Sequence, residues 1–558
     1  MSIKRTELRW AGNVALGRPI TNITIVGGGT AGWIAAAHLN HALQWGPTGR
    51  PDVAITLIES PNIPSVGVGE GTLPLLAHTL ELLQISEPEF VLRTNATFKY
   101  GTRLENWNVD DRRQPYAFVH PFHCGSWVRG LNPGNSFRAH GVPGRENLHG
   151  REYVRLVSRS VEAIERRKAP RDVAAAPYSN KLRYAYHVDA ARFAEFLSEV
   201  CQARGVQRLA DDVIDVEHDE RGFVSALKLA KSGTHAVELV IDCTGFRGLL
   251  INEAMSEPFV PFSDYLLNDR AIPIQVAHRD LKSIEPVTVS RALEAGWSWR
   301  IPLHSRLGTG YVYSSAFKSD EKALEELHTQ LAGDHLLTEP RVLRMRVGRS
   351  RRAWVKNCVA IGLSAGFLEP LESTAIQSID LSARWLVATM PTTDFEEPLR
   401  AKFNATIEKF YEHVRDFLAL HYTLGNRDDT PYWLAVRNET KKSDAVLENL
   451  ALWRHAVPDG LDVSPPGIFS SCSLQSVLFG KDFYRNTPAP TIDVVAGDVW
   501  RRYCLEWEGI KDALLDSLPD HLELIEAMRA AAQIGDTVGR PPETQMLAVS
   551  ETPRPGAA

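Results

Sequence analysis

A run of β-branched residues, followed at once by glycines and then by alanines, lies near the start of the chain. Residues 23–26 predict a buried strand, residues 27–29 a tight turn and residues 30–37 the beginning of a helix. The apolar run at residues 53–58 predicts the next strand, and a later one at 358–361 again ends in small residues. This alternation of strands, glycine turns and helices predicts an α/β fold.

The first glycine turn has the spacing of a dinucleotide-binding fingerprint. Gly27, Gly29 and Gly32 fit G-x-G-x-x-G, in which the second glycine lets the backbone approach a pyrophosphate and the third lets helix pack on strand. Glu59 ends the next strand, where an acid accepts hydrogen bonds from an adenosine ribose. A solvated acid is the plain interpretation of Glu59 alone, but the combination favours a Rossmann-like nucleotide site.

The rest of the chain predicts a larger flavoprotein architecture. A predicted hairpin at residues 212–229 and small-residue turns at 242–248 and 362–366 resemble the layout of flavoproteins in which FAD lies extended between a dinucleotide fold and a substrate-side sheet. Residues 110–180 predict an irregular insertion. The predicted divisions are a leader (1–20), an FAD-binding, monooxygenase-like domain with its substrate-side sheet and insertion (21–390), a mainly helical region (391–539) and a disordered tail (540–558).

The net charge and the cysteine content restrict which classes of partner and which cellular compartment we expect for this protein. The formal net charge of −6 gives no reason to expect nucleic acid or an anionic membrane as a partner, and no apolar run is long enough to span a bilayer. Six scattered cysteines without a C-x-x-C pair favour a reducing compartment and argue against a zinc site. We therefore expect a cytoplasmic protein with no metal, no nucleic-acid partner and no membrane contact.

Three motifs resemble those of the flavin-dependent tryptophan halogenases. Residues 296–302 contain W-x-W-x-I-P, residues 367–374 (FLEPLEST) are similar to the halide-site segment of that family, and residues 27–33 match its nucleotide-binding turn. The likeness runs from about residue 21 to residue 433. It implies a monooxygenase-like fold and an enzyme that uses reduced FAD from a separate flavin reductase, O2 and chloride or bromide to attack an electron-rich aromatic. It also makes a homodimer a reasonable expectation.

Local chemistry and the resemblance together assign candidate site residues. Ser373 or Thr374 can cap the helix that begins near Ala375, so the amides of Thr374 and Ala375 would bind the halide. Glu372 would stabilise the σ-complex of the substrate or accept its proton, although a helix-start carboxylate favoured by the dipole is the plain interpretation. The predicted cofactor-binding residues are Gly27, Gly29, Thr30, Ala31, Gly32, Glu59, Val213, Gly362, Leu363 and Ile376.

Two positions depart from the family pattern. The family's active-site lysine lies four residues after the proline of the G-V-G-E segment, and counting from Pro74 places His78 there, while Lys99 is assigned to another part of the pattern. A histidine can donate a hydrogen bond to hypohalous acid but cannot form a haloamine. A helix residue that packs against its neighbours is the other interpretation of His78. The tyrosine pair and acid that hold free tryptophan are not found, and residues 474–484 offer only Tyr484.

These observations leave three functions open. The leading one is an FAD-dependent halogenase that acts on an indole or another electron-rich aromatic, small or carried on a peptide, other than free tryptophan. A flavin-dependent aromatic hydroxylase on the same scaffold is the second, because the missing lysine would then mark the loss of halide chemistry. A catalytically weak flavin-binding protein is the third.

Overall fold

In the computed structural model of the chain, residues 17–46, 52–63, 69–125, 132–144, 149–463, 465–488, 490 and 494–537 are described. The predicted tail and most of the predicted leader lie outside these residues, as do Gly67 and Val68. The strands are β1 (Asn22–Val26), β2 (Ala54–Glu59), β3 (Gly69–Gly71), β4 (Thr97–Lys99), β5 (Gly101–Val109), β6 (Pro115–Pro121), β7 (Ala185–Asp189), β8 (Gln207–Ala210), β9 (Val213–His218), β10 (Val224–Leu229), β11 (Gly233–Ala236), β12 (Leu239–Asp242), β13 (Phe259–Pro261), β14 (Arg270–Val276), β15 (Thr288–Ala292), β16 (Gly296–Pro302), β17 (Leu307–Tyr313), β18 (Leu343–Arg344), β19 (Gly348–Ser350), β20 (Trp354–Val355), β21 (Cys358–Ala360) and β22 (Gly366–Phe367).

The helices follow the same order along the chain. They are α1 (Thr30–Asn40), α2 (Leu75–Leu82), α3 (Glu87–Arg93), α4 (Pro133–His140), α5 (Arg151–Val157), α6 (Arg159–Glu165), α7 (Ala190–Ala203), α8 (Asp320–Gln330), α9 (Ala375–Ala388), α10 (Glu397–Thr423), α11 (Pro431–Asn438), α12 (Asp444–Trp453), α13 (Ser471–Gly480), α14 (Gly497–Asp516) and α15 (His521–Thr537). In this part of the chain, no helix combines the length and apolar character needed to cross a bilayer.

A parallel sheet forms the nucleotide-binding half. Its strand order is β20-β21-β12-β1-β2-β8, and all neighbours pair in parallel except β20 and β21. Strand β1 is buried from Ile23 to Val26 because helices such as α1 cover the sheet, so its apolar residues run continuously instead of alternating. The predicted α/β fold class is confirmed.

A seven-stranded sheet forms the substrate-side half. Its order is β18-β14-β17-β16-β15-β5-β6, with antiparallel pairing except between β15 and β5. Trp297 and Trp299 lie buried on β16. The predicted hairpin is also present as the antiparallel pair β9 and β10.

The predicted irregular insertion contains more regular structure than its many turn formers suggested. Strand β6 and helices α4, α5 and α6 lie within residues 110–180. Each of these helices is short, and two of them begin at a side-chain cap, Asn132 for α4 and Ser158 for α6. Short capped helices give little periodicity in a sequence, which is why the pattern predicts an irregular insertion instead.

Candidate active site

The three glycines of the G-x-G-x-x-G motif after β1 have different surroundings: at two of them a side chain would collide with the backbone, and at the third the space is open. A Cβ atom on Gly32 would lie 1.9 Å from the carbonyl oxygen of Gly27, and one on Gly27 would lie 2.2 Å from the carbonyl oxygen of Cys243. A Cβ on Gly29, at the N-terminus of α1, would meet no atom of the described chain within 4 Å. The backbone thus leaves space at a helix start, where phosphate groups bind.

Glu59 lies over this turn from the end of β2. A Cβ on Gly28 would lie 1.6 Å from Glu59 Oε2, so the carboxylate covers the backbone beside the open position. Glu59 pairs with the partly exposed Arg208, and its carbonyl accepts a hydrogen bond from the amide of Asp211 at 3.0 Å. Val213 begins β9 two residues later. Glu59 therefore lies beside the glycine turn, and Val213 follows the residues that are hydrogen-bonded to the end of β2.

The third glycine turn meets the first one. Gly362 has φ +80°, which favours glycine, and a Cβ there would lie 2.7 Å from Cβ of Ala31 on α1. The hydroxyl of Thr30 donates to the carbonyl of Ala190 at 3.3 Å. Ile376 is buried in the first turn of α9. The open position at Gly29 and the close approach of Gly362 to α1 fit the FAD that the resemblance implies, which these residues would hold.

The segment before α9 has a strained backbone. Glu372 has φ +66° and Ser373 has φ +60°, both in the left-handed region that non-glycine residues rarely adopt. Such residues cost about 1–3 kcal/mol each and cluster at functional sites. The bend places Thr374 at the N-terminus of α9, with its amide and that of Ala375 among the first, unpaired donors of the helix.

A small, largely apolar cavity lies beside Thr374 and Ala375. It has a volume of about 30 Å³, and Thr374 and Ala375 line it together with Gly362 and Leu363 of the third glycine turn. About 10–15 Å³ measured in this way is enough for one water-sized particle. The predicted halide residues and two predicted cofactor residues thus border the same space, which is large enough for a single ion.

Two histidines hold the Glu372 carboxylate in the protein interior. His120 Nδ1 lies 2.8 Å from Oε2, and His421 Nε2 lies 3.2 Å from Oε1, with all three side chains buried. Burial alone would raise the pKa of Glu372, but these two rings, through charge and hydrogen bonding, hold its pKa well below the usual range. Burial in turn lowers the pKa of His421, against the opposing effect of Glu372. Glu372 is therefore ionised at neutral pH.

Lys99 reaches the same segment from the small sheet β3-β7-β4. Its Nζ donates to Ser373 Oγ at 2.8 Å and lies 5.4 Å from the ring centre of Phe122. A Cβ on Gly71 would lie 2.5 Å from Ser373 Oγ and 3.0 Å from Lys99 Nζ, so glycine at this position leaves room for the pair. Burial lowers the pKa of Lys99 to about 7, although the charge of Glu372 opposes the shift.

His78 lies on α2, and its assignment to the position of the family lysine stays a prediction. It is exposed on α2, while its neighbour Thr79 points inward and donates to Asp380 Oδ1 at 2.9 Å. Counting along the chain from Pro74 follows α2, whereas β3 and β4 both pair with β7 and so bring Lys99 to the Glu372 segment. Lys99 itself lies inside a run, residues 96–100, that is otherwise apolar or weakly polar and is wholly buried.

A cavity of about 910 Å³ adjoins this buried group. His120 and Phe122 form its inner wall, which connects it to the carboxylate of Glu372. Val463, residues 465–470 and Ser473 line another side. Tyr484, the one tyrosine of residues 474–484, packs against Phe479 with ring centres 4.6 Å apart. The full lining is Leu73, Pro74, Leu75, His120, Phe122, Arg183, Gln377, Leu381, Trp385, Lys402, Ala405, Thr406, Lys409, Val463, Pro465, Pro466, Gly467, Ile468, Phe469, Ser470 and Ser473.

A disulfide joins two of the cavity walls. Cys124, two residues after Phe122, is bonded to Cys472, which precedes Ser473. The scattered spacing did not predict this pair, because 348 residues separate the two cysteines along the chain. The reducing, cytoplasmic compartment stays a prediction.

The tryptophan motif connects to the carboxylate group through packed rings. The ring centres of Trp297 and Trp107 lie 6.4 Å apart, and those of Trp107 and His421 lie 6.2 Å apart. Because His421 also contacts Glu372, the motif of residues 296–302 and the segment of residues 367–374 are parts of one interior. The resemblance predicts that these two motifs, which are far apart in sequence, lie close together in the fold.

The dinucleotide fold, the open helix start and the buried lysine and glutamate define a flavoprotein of the oxidoreductase class. A family model described as tryptophan halogenase matches residues 22–497. The chain belongs to the tryptophan halogenase family, and the predicted membership and enzyme class, a flavin-dependent halogenase-type oxidoreductase, are confirmed. Use of a flavin and a halide follows from this membership.

Individual relatives match almost the whole chain. Tryptophan 6-halogenase SttH of Streptomyces toxytricini is 36% identical over 526 residues, which cover 91% of this chain and 98% of SttH. The solved structure of a tryptophan halogenase from Shewanella frigidimarina has a TM-score of 0.85 at 33% identity and covers 92% of this chain and 98% of that chain. BrvH, a flavin-dependent halogenase from Brevundimonas sp., has a TM-score of 0.81 at 32% identity, with 91% and 99% covered.

Proposed function

We propose that this enzyme halogenates an electron-rich aromatic other than free tryptophan, with Lys99 in place of His78 as the residue that directs the halogenating species. The proposal assumes reduced FAD from a separate flavin reductase, and chloride or bromide as co-substrate. The observation that carries it is the buried contact between Lys99 and Ser373, next to the ionised carboxylate of Glu372. A homodimer remains part of the proposal.

The chain supplies positioning groups around the cofactor and the halide. Bound reduced FAD would supply, with O2 and halide, the oxidising power for an electrophilic halogen. The open helix start at Gly29 and the carboxylate of Glu59 would hold the nucleotide part. The amides of Thr374 and Ala375 would hold the halide in the small cavity beside Gly362.

Lys99 and Glu372 would act at different steps, Lys99 on the halogenating species and Glu372 on the substrate ring. With a pKa of about 7, Lys99 is present in both protonation states near neutral pH, so it can donate a hydrogen bond to hypohalous acid or accept the halogen on nitrogen. Glu372 stays ionised and can stabilise the positive charge that develops on the aromatic ring and then accept the ring proton. His120 and His421 would hold that carboxylate in place.

The large cavity supports a substrate other than free tryptophan. SttH is named for tryptophan, whose ammonium and carboxylate both need partners. Among the described residues that line this cavity there is no tyrosine and no Asp or Glu, so no carboxylate is present there to pair with an ammonium. A volume of about 910 Å³ is near the upper end of small-molecule sites.

Product mass tests this proposal directly. The enzyme, FAD, a flavin reductase, NADH and bromide would be incubated in air with a panel of indoles and phenols that includes tryptophan. We expect products with the bromine isotope pattern from some aromatics and little or none from tryptophan. One added oxygen without dependence on halide would instead favour the hydroxylase, and peroxide alone over the whole panel would favour the flavin-binding protein.

A further inference from the structure

The charges around the 910 Å³ cavity all have one sign. Its lining contains three permanent cations, Arg183, Lys402 and Lys409, and within the described residues it contains no acid. Lys402 and Lys409 lie on the same face of α10, about 10 Å apart along the helix axis. A cavity lined by one sign of charge attracts ligands of the opposite sign.

Among the described residues, these three basic side chains have no carboxylate partner. In the described parts of the chain, no carboxylate lies within ion-pair distance of Arg183, Lys402 or Lys409. Elsewhere on α10 the bases are paired, for example Arg400 with Glu397 and Arg415 with Asp416. The cavity cations are thus available to a ligand.

Gln377 gives an independent indication of a ligand deeper in the cavity. It lines the cavity in the first turn of α9, its side chain is buried, and its amide nitrogen has no hydrogen-bond partner among the described residues. A buried amide without a partner is costly unless a ligand or water satisfies it. The remaining inner walls are largely apolar and include Phe122, Trp385 and Phe469, which suit an aromatic ring.

From this arrangement we propose that the substrate is an aromatic carboxylic acid with a net negative charge, bound with its ring toward His120 and its carboxylate toward the cations of α10. This inference rests on the proposed function, because it names the substrate class of the same site. A side chain that carries an ammonium group and no carboxylate would meet three cations and no acid in the described lining. The cavity would therefore select against such cationic analogues.

Binding to the resting enzyme tests the inference without requiring turnover. Indole-3-propionate, 3-methylindole and tryptamine share one ring and differ in the charge of the side chain. By calorimetric titration of the full chain we expect indole-3-propionate to bind at least ~10-fold more tightly than tryptamine, a difference of about 1.4 kcal/mol in binding free energy. The affinity for 3-methylindole should lie between the two. Added sodium sulfate should reduce this preference, because salt screens exposed charges.

Charge reversal on α10 provides the matched variants. In Lys409→Glu and Lys402→Glu the preference for indole-3-propionate over tryptamine should fall several-fold or invert, while the affinity for neutral 3-methylindole is retained. Lys322→Glu is the control, since Lys322 is exposed on α8 and does not line the cavity. Retained 3-methylindole binding also shows that a variant is folded.

The outcomes separate this inference from the proposed function. Equal binding of the anionic and cationic analogues, or a preference that neither α10 variant changes, would overturn it and show that the cations are only solvated. A preference for the anion without any halogenated product would leave the inference standing and refute the proposed chemistry. If neutral and cationic indoles are halogenated as efficiently as indole-3-propionate, the proposed function stands and the inference about an anionic substrate is refuted.

Discussion

The glycine turn after β1 and the Glu372 segment offer different physical means of binding a ligand. The turn offers backbone amides and a position, Gly29, where nothing fills the space of a side chain. The Glu372 segment instead buries ionisable side chains on a backbone with two left-handed non-glycine residues. The pKa values of Lys99 and Glu372 are both lowered, which favours the neutral form of the lysine and the charged form of the glutamate. The first region depends on shape and the second on a balance of charge, so substitutions should separate cofactor binding from chemistry.

The largest effect should come from the two candidate lysine positions. Lys99→Met removes the group that contacts Ser373, and we expect halogenation to fall by at least ~100-fold while FAD remains bound. The matched His78→Met changes an exposed residue of α2 and should leave the rate unchanged. Bromide-dependent product formation and flavin fluorescence titration measure the two quantities. Loss of activity in His78→Met with retention in Lys99→Met would reverse the assignment.

The two glutamates of one segment offer the next comparison. Glu372→Gln removes an ionised carboxylate, so we expect product formation to fall by about 100-fold with flavin bound. Burial raises the pKa of Glu369 to about 7, and Asn268 and Tyr422 donate hydrogen bonds to it. Glu369→Gln keeps a neutral group there and should cost much less. Equal losses in single-turnover assays would mean that both residues act only through folding of the segment.

Substitution of two glycines of the turn should show which one leaves space for a ligand and which one is needed for folding. Gly29→Val has room in the chain itself, so the protein should fold and FAD affinity should fall by ~10-fold or more, because the side chain occupies the space of the diphosphate. Gly32→Ala would bring Cβ against the carbonyl of Gly27 and should impair folding itself. Thermal unfolding and flavin titration distinguish the cases. Normal FAD affinity in Gly29→Val would remove that residue from the cofactor site.

The smallest expected effect concerns a second buried lysine. Burial lowers the pKa of Lys481 from 10.5 to about 7, and its Nζ donates to Asn108 Oδ1 at 2.8 Å. Between these pH values the unfolded chain holds the proton and the folded chain does not, so the free energy of unfolding rises with pH by up to ~1.4 kcal/mol per unit from this group. Lys481→Met should flatten that rise in urea unfolding at pH ~7 to ~9, whereas an unchanged slope would show that Lys481 is not titrating there.

The sequence pattern predicted the nucleotide half well because its signals are local. Gly27, Gly29 and Gly32 lie within one strand-turn-helix unit, and their spacing alone implies which of them face a ligand and which face the fold. Glu59 follows from the next strand of the same sheet. Such a unit is short, so neighbours in sequence are also neighbours in space.

The reaction site could be predicted only in part because its residues come from separate segments. Glu372, Thr374 and Ala375 share one motif and were found together. Lys99 and His120 reach them through pairing of β4 with β7 and of β5 with β6, and His421 comes from α10, so no spacing along the chain indicated these contacts. Counting from Pro74 follows α2 and leads to His78, whereas Lys99 reaches the Glu372 segment across a sheet.

The central claim is that a halide binds at the start of α9, next to the segment that meets Lys99. Anomalous diffraction from crystals soaked with FAD and bromide tests it most directly. We predict a bromide peak within hydrogen-bond distance of the amide nitrogens of Thr374 and Ala375, in the small cavity they line with Gly362. Bound FAD with no bromide at these amides, and a peak at another buried position instead, would contradict the account.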